Sequence, residues 1–208
     1  NNRTLSLINS PTINEIAAGG VYDFSDYLTN CVSIGDTGAS FLNTNFSVNF
    51  AIRPTDGQSS TVQHVCGNKD ATNTGLIISI QTNGKLRINY QGFIWDSTNV
   101  VFANGTIAAI SYFDIHFDFT TDTLTVNQDG ASVAGSFTTS NISAVNPASY
   151  ACTTNLYIAS LNNDGTATSN ADNNHFYYFA ITTLQTTPFT SIGSYLQNKK
   201  PTLELLST

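Results

Sequence analysis

The sequence predicts an all-β protein, a sandwich or barrel of antiparallel strands. Three observations carry that. In Phe46-Ser-Val-Asn-Phe-Ala-Ile-Arg-Pro54 the residues Phe46, Val48, Phe50 and Ile52 alternate with Ser47, Asn49, Ala51 and Arg53. Period two is the mark of a strand with one buried face. Leu76, Ile78 and Ile80 repeat the pattern, Asn83-Gly84 follows, and Leu86, Ile88 and Tyr90 resume it. Two alternating runs joined at Asn-Gly make a hairpin, because both residues tolerate positive φ. Along the rest of the chain strand-like runs are separated by turn signals, with no helical periodicity between them.

Taken in order, residues 1–20 read as an edge strand and a turn, with Leu5, Leu7, Ile8 and Ile13 closing on Gly19-Gly20. Val21 to Ser25 reads as a strand or a short helix-like turn. Cys31 to Ile34 is a short strand, Gly35 to Gly38 a turn, and Phe41-Leu42 leads into the strand that Pro54 stops, since proline cannot donate to a ladder. Beyond the hairpin come Gln91-Gly92 and the single Trp, in Phe93-Ile-Trp-Asp96. Val100 to Phe102 is expected as a strand, and Ile110 to Phe119 alternates clearly. Leu124 to Val126 ends at Asn127-Gln-Asp-Gly130, and Ala131 to Phe137 is expected to pair back across that turn. Residues 138–153 read as a loop, Leu156 to Ile158 as a strand and 162–174 as a long polar loop, a length that is usually functional or mobile. Phe176 to Ile181 is the most apolar strand, expected to be covered on both faces. The tail is expected to hold one short helix and a last strand, Leu203 to Leu206. With no repeat and no linker, residues 1–208 read as one domain. The expected core comprises Phe46, Val48, Phe50, Ile78, Ile80, Ile88, Ile115, Phe117, Leu124, Val126, Ile158 and Phe179.

Composition narrows the function classes. Of 208 residues 40% are hydrophobic and only 10% charged, well below the quarter usual for soluble domains. Asn, Ser and Thr replace the charges, and they suit turns and exposed strand faces. A net charge of −7 with seven Lys and Arg cannot make a phosphate-binding field, which argues against nucleic acid and anionic membranes. No apolar run reaches spanning length, so no membrane insertion is expected. Three cysteines, Cys31, Cys66 and Cys152, cannot all pair within one chain; Cys31 and Cys152, in strand-like contexts, read as buried free thiols.

Three segments in order resemble the laminin-G-like branch of the concanavalin A-like lectin and glucanase superfamily. The first is Phe46 to Pro54 with Gly67-Asn-Lys-Asp70 and Gly75, similar to that family's aromatic strand ending in Arg/Lys-Pro and its glycine-lysine-aspartate turn. The second is Ile115-His-Phe-Asp-Phe119 with Leu124-Thr-Val-Asn-Gln-Asp-Gly130. The third is Leu156-Tyr-Ile158, the polar loop, and Phe176 to Ile181, similar to the family's penultimate hairpin. The resemblance implies a two-sheet antiparallel jelly roll, which agrees with the strand reading. It also implies a departure. The family's glucanases carry a Glu-x-Asp-x-x-Glu strand, whereas the only glutamates here are Glu15 and Glu204. The paired carboxylates of glycoside hydrolysis are missing, and His116-x-Asp118 has no nucleophile beside it in sequence. A non-enzymatic protein is expected.

Laminin-G-like domains often hold one calcium at a sheet rim, and Asp70 lies in the matching turn. Calcium wants six to eight oxygens, and Asn162, Asp164 and Asp172 are the further candidate ligands; the bland alternative is that Asn and Asp are common loop residues. His64, His116 and His175 lack the mutual spacing of a zinc site. For a sugar, Trp95 is the candidate platform, with Tyr90, Asp96, Asn73 and Asn163 as partners. An aromatic face stacks on a pyranose while amides and carboxylates take its hydroxyls. The competing reading makes Trp95 an ordinary core residue and places the binding surface among the loop residues Asn68 to Asn73 and Asn162 to Asn174 instead. The function expected is carbohydrate-binding, lectin-like recognition of glycans or glycoconjugates by an extracellular or virion-surface protein such as a phage tail. The alternative is a structural or protein-interaction sandwich without a sugar site. Weak single sites would call for several copies, in a homo-oligomer such as a trimer or in a larger multidomain protein.

Overall fold

The computed structural model describes residues 6–8, 12–16, 19–23, 31–168 and 174–183. In chain order the strands are β1 (Ser6–Ile8), β2 (Thr12–Ile16), β3 (Gly19–Asp23), β4 (Cys31–Ser33), β5 (Phe46–Pro54), β6 (Gln63–Lys69), β7 (Thr74–Ile80), β8 (Leu86–Tyr90), β9 (Phe93–Ser97), β10 (Ser111–Asp118), β11 (Thr123–Gln128), β12 (Ala131–Ser132), β13 (Gly135–Phe137), β14 (Tyr157–Ile158), β15 (Leu161–Asn163), β16 (Thr166–Thr168) and β17 (Asn174–Thr182). Between β13 and β14 lie two single 3₁₀ turns, Ile142–Ala144 and Pro147–Ser149, whose first amides are capped by the side chains of Asn141 and Asn146.

Among the described residues the strands form two sheets packed as a β-sandwich jelly roll. One has ten strands in the order β1-β4-β14-β6-β7-β8-β9-β13, with β15 beside β6 and β16 beside β15. The other has seven, in the order β12-β11-β10-β5-β17-β3-β2. Among the described strands pairing is antiparallel except where β15 runs parallel to β6.

Register explains the core. A single rung crosses the larger sheet through Val32, Ile158, Cys66, Ile78, Ile88, Trp95 and Phe137. In the smaller sheet Val126, Ile115, Val48 and Ile181 form the facing kind of rung. Aromatic pairs reinforce that sheet, with Phe46 and Phe117 at 4.2 Å and Phe50 and Phe113 at 4.8 Å between ring centroids. Across the sandwich Tyr90 meets Phe46 at 5.6 Å and Phe117 at 5.7 Å. Each such side chain taken out of water stabilises the fold by roughly 1.5–3 kcal/mol. All the residues expected in the core are buried except Leu124, which packs half-buried against it.

Several expectations are corrected. Val100 to Phe102 is not a strand. The amides of Val101 and Phe102 both donate to the Gly84 carbonyl of the β7–β8 turn, so Phe102 plugs the core from a loop while Val100 lies exposed. Ala131 to Phe137 does not simply pair back. β12 pairs with β11, and the chain then crosses to the other sheet, where β13 edges β9. β14 and β17 lie in different sheets and make no hairpin. The polar loop from 162 begins as the hairpin β15–β16, turning at Asp164-Gly165 with positive φ at both residues. The expected tail helix and the strand Leu203 to Leu206 lie outside the described residues. Cys31, Cys66 and Cys152 are buried and free, and burial pushes the Cys31 thiol up to about 12.

Candidate functional site

The aromatic platform expected at Trp95 is not at the surface. Trp95 points into the core rung and is 4% exposed. The reason lies across the sheet. Gly135 of β13 pairs beside it, and any Cβ there would run into the indole ring and the Asp96 carbonyl, so the edge strand lies on the tryptophan because that position is glycine. Tyr90 is fully buried, and its hydroxyl donates to the Leu42 carbonyl. Asp96, on the opposite face of β9, is held by Arg87 in a bidentate pair at 2.7 and 2.8 Å. These three residues brace the sandwich, and none presents a free group to a sugar.

Asp70 has a different role from the one expected. Its carboxylate accepts from the backbone N–H groups of Thr72, Asn73 and Thr153, from the hydroxyls of Thr72 and Thr153, and from the Asn73 amide. Hydrogen bonds, that from the Thr72 N–H foremost, hold its carboxyl well below the usual carboxylate range. The oxygens therefore meet N–H and O–H donors, where a calcium site would bring other oxygens. β15 runs along β6 with Asn162 opposite Asn68 and Asn163 opposite Lys69, which sets 162–164 beside the strand end that carries Asp70. Asn162, however, is buried and occupied, donating to the Asn155 carbonyl at 2.8 Å and accepting from the Gly165 N–H at 2.9 Å. Asn163 and Asp164 are exposed, Asp164 in the turn of the hairpin. Asp172 lies outside the described residues. Among those residues no three His, Cys, Asp or Glu side chains converge.

What Asp70 does build is a rim. It ties the β6–β7 turn to Thr153, and one residue pair away Asn68 does the same from inside. The Asn68 amide donates to the carbonyls of Thr37 and Thr154 at 2.9 Å, and its oxygen accepts from the Leu76 N–H at 3.0 Å. The Tyr150 hydroxyl joins this knot, donating to the Thr37 carbonyl at 2.8 Å. Gly75 makes room for it, because a Cβ there would collide with both Asn68 Oδ1 and Tyr150 Oη. The β8–β9 turn, Gln91-Gly92, has positive φ at both residues and is fixed to this rim by the Gln91 N–H donating to the Gly75 carbonyl.

Between these anchored walls lies an open depression of about 240 Å³, lined by Thr72, Asn73, Thr74, Gln91, Gly92, Ser149 and Ala151. The lining carries hydroxyls, amides and backbone but no charged side chain. Of the residues expected to bind ligand, only Asn73 lies here. Thr72 falls within the alternative stretch Asn68 to Asn73, whereas Thr74, Gln91 and Ser149 were missed. Their one legible signal was Gln91-Gly92, a turn beside the aromatic strand.

A second polar cluster lies on the outer face of the smaller sheet. Ser47 of β5 and His116 of β10 are cross-strand partners, with Oγ and Nδ1 2.8 Å apart. Beside them Asn49 donates to Asp114 at 2.8 Å. The sequence showed no nucleophile near His116, and the register supplies one. Ser47 is only 1% exposed, though, and Asn49, Asp114 and His116 are buried with it. A reacting atom needs access to the nucleophile and a base oriented by a third group. Here the serine is shut away, and the Asp114 oxygen Oδ1 is bonded to Asn49.

No family model and no curated protein matches this chain. Solved structures share its fold. A sialidase of Trypanosoma rangeli in complex with 2,3-difluorosialic acid superposes at TM-score 0.53 and 13% identity, over 83% of this chain and 26% of that one. The CBM40 of the Ruminococcus gnavus IT-sialidase, bound to α2,6-sialyllactose, superposes at 0.50 and 13% identity, over 84% and 91% of the two chains. The chain thus spans about a quarter of the length of the sialidase and nearly all of the binding module. At such identities the likeness is one of fold, the two-sheet sandwich.

Proposed function

We propose that this protein is a glycan-recognition module that binds without cutting, and that it does so at the depression between Thr72–Thr74, Gln91-Gly92 and Ser149. The observation that carries this is the lining: hydroxyl and amide groups on backbone pinned by Asp70 at Thr72 and Asn73 and by the Gly75 carbonyl at Gln91. Sugar hydroxyls both donate and accept, and amides and hydroxyls answer them in kind. Pre-pinned walls spare the ordering cost of binding. The sandwich shared with a carbohydrate-binding CBM40 supports the reading. The absence of an accessible nucleophile at Ser47 and the missing paired carboxylates support its non-catalytic half.

A depression of this size, below the ~300–1,000 Å³ of typical small-molecule clefts, holds one sugar ring. Binding per site is therefore weak, and useful avidity requires several copies, as in a trimer or a multidomain protein on a cell or virion surface. A glycan array with the multimerised domain tests the proposal. Selective binding that falls when Thr74→Val and Ser149→Ala are combined is the expected result. Absence of binding to any glycan, or release of reducing sugar from a bound one, overturns it and leaves a structural or protein-interaction domain.

A further inference from the structure

We infer that the ligand of this depression is a neutral sugar, recognised through its hydroxyls, and that glycans whose contacting residue carries a carboxylate are excluded. The inference rests on the glycan-binding reading above and adds its ligand class.

A carboxylate taken out of water needs a cation or several convergent N–H donors. Thr72, Asn73, Thr74, Gln91, Gly92, Ser149 and Ala151 offer no cation. The basic groups nearest in sequence are engaged or elsewhere. Arg87 is clamped onto Asp96, and Lys69 is an exposed residue outside the lining. The charge bonded directly behind the wall has the wrong sign. Asp70 is bonded directly to Thr72 and Asn73, and those donors keep it ionised. An acidic sugar seated on Thr72 and Asn73 would bring a second carboxylate toward Asp70 with no cation in the lining to neutralise either, and like charges so placed act against the wrong partner. The chain's overall charge of −7 adds to the same bias from a distance. This specificity differs from the sialyllactose seen in the CBM40 of the same fold, so the shared sandwich does not carry its ligand with it.

The test is a glycan array printed in pairs, each sialylated glycan beside the same glycan after removal of its sialic acid, alongside neutral glycans. It is read in 0.15 M and 0.5 M salt. Neutral and desialylated members should bind, with signals at least about tenfold above their sialylated partners, and the preference should persist at the higher salt, where exposed long-range charge is screened. Equal or stronger binding of the sialylated partners overturns the inference while leaving glycan recognition standing. A preference that vanishes at 0.5 M salt also overturns it, because net charge and not the lining would then be the cause. Binding to no member of either kind removes the glycan-recognition reading itself, and this inference with it.

Discussion

Two polar clusters in this molecule are built from the same kinds of residue and do opposite things. On the outer face of the smaller sheet, Ser47, Asn49, Asp114 and His116 are each under 10% exposed and bonded to one another across strands. At the rim of the larger sheet, Thr72, Asn73, Gln91 and Ser149 line an open depression, with Thr72 and Asn73 held from behind by Asp70 and Gln91 fixed to the Gly75 carbonyl. The first contains what looks like the beginning of a catalytic dyad and has no access. The second contains nothing reactive and has access. Side-chain type does not make a site here. The deciding property is access: the first cluster is shut away, whereas the second faces an open depression even though Thr72 Oγ1 and Asn73 Nδ2 also donate to Asp70.

The largest expected effects break that contrast on its buried side. Asn49→Asp replaces the amide that donates to Asp114 with a second carboxylate in a desolvated place and should cost about 3 kcal/mol or more, the penalty for a buried charged group that loses its donor. Ser149→Asp, the same kind of change at the open rim, should stay within about 0.5 kcal/mol. Urea unfolding of the two variants reads the difference, and equal costs would mean the two clusters are not distinct environments.

A buried polar group without a partner sharpens the point. His64 is 8% exposed, and no hydrogen bond reaches its Nδ1. Burial lowers its pKa from 6.5 to about 4. The unfolded chain therefore binds one more proton than the folded one between those values, so this contribution is whole above pH 6.5 and is lost as pH falls toward 4. The loss is roughly 3 kcal/mol. Unfolding midpoints measured from pH 7 to 4.5 should fall steeply for the native protein and less so for His64→Gln. Parallel slopes would contradict the assignment.

Smaller effects follow at the rim. Gly75→Ala forces the Asn68–Tyr150 knot apart and should cost about 1–3 kcal/mol by overpacking, read as a lower Tm together with weakened glycan binding. Calcium would have to displace the six donors on Asp70, so millimolar calcium or a chelator should leave Tm where it is. A calcium-dependent rise would return Asp70 to the ligand role its turn suggested.

The fold was largely legible because its strands obey period two. β5, β7, β8 and β10 show it, and Asn83-Gly84 announced the β7–β8 hairpin. The hairpin β15–β16 was not seen because Leu161-Asn-Asn and Thr-Ala-Thr168 are too short and polar to alternate, although Asp164-Gly165 carried a turn signal. The site was far less legible. Trp95 looked like a platform because sequence gives a strand's own alternation but not its neighbour, and Gly135, forty residues on, is what covers it. Ser47 and His116 lie 69 positions apart and meet only through register. Asp70 read as a metal ligand because its six donors come partly from Thr153, in a loop whose path no local pattern reveals.

The measurement that tests the central claim most directly is an amide chemical-shift map of the domain titrated with a glycan that it binds on an array. The account predicts shifts centred on Thr72, Asn73, Thr74, Gln91, Gly92, Ser149 and Ala151, with the amides around Ser47, Asn49, Asp114 and His116 unmoved. Shifts centred on that second cluster, with the depression silent, would contradict it.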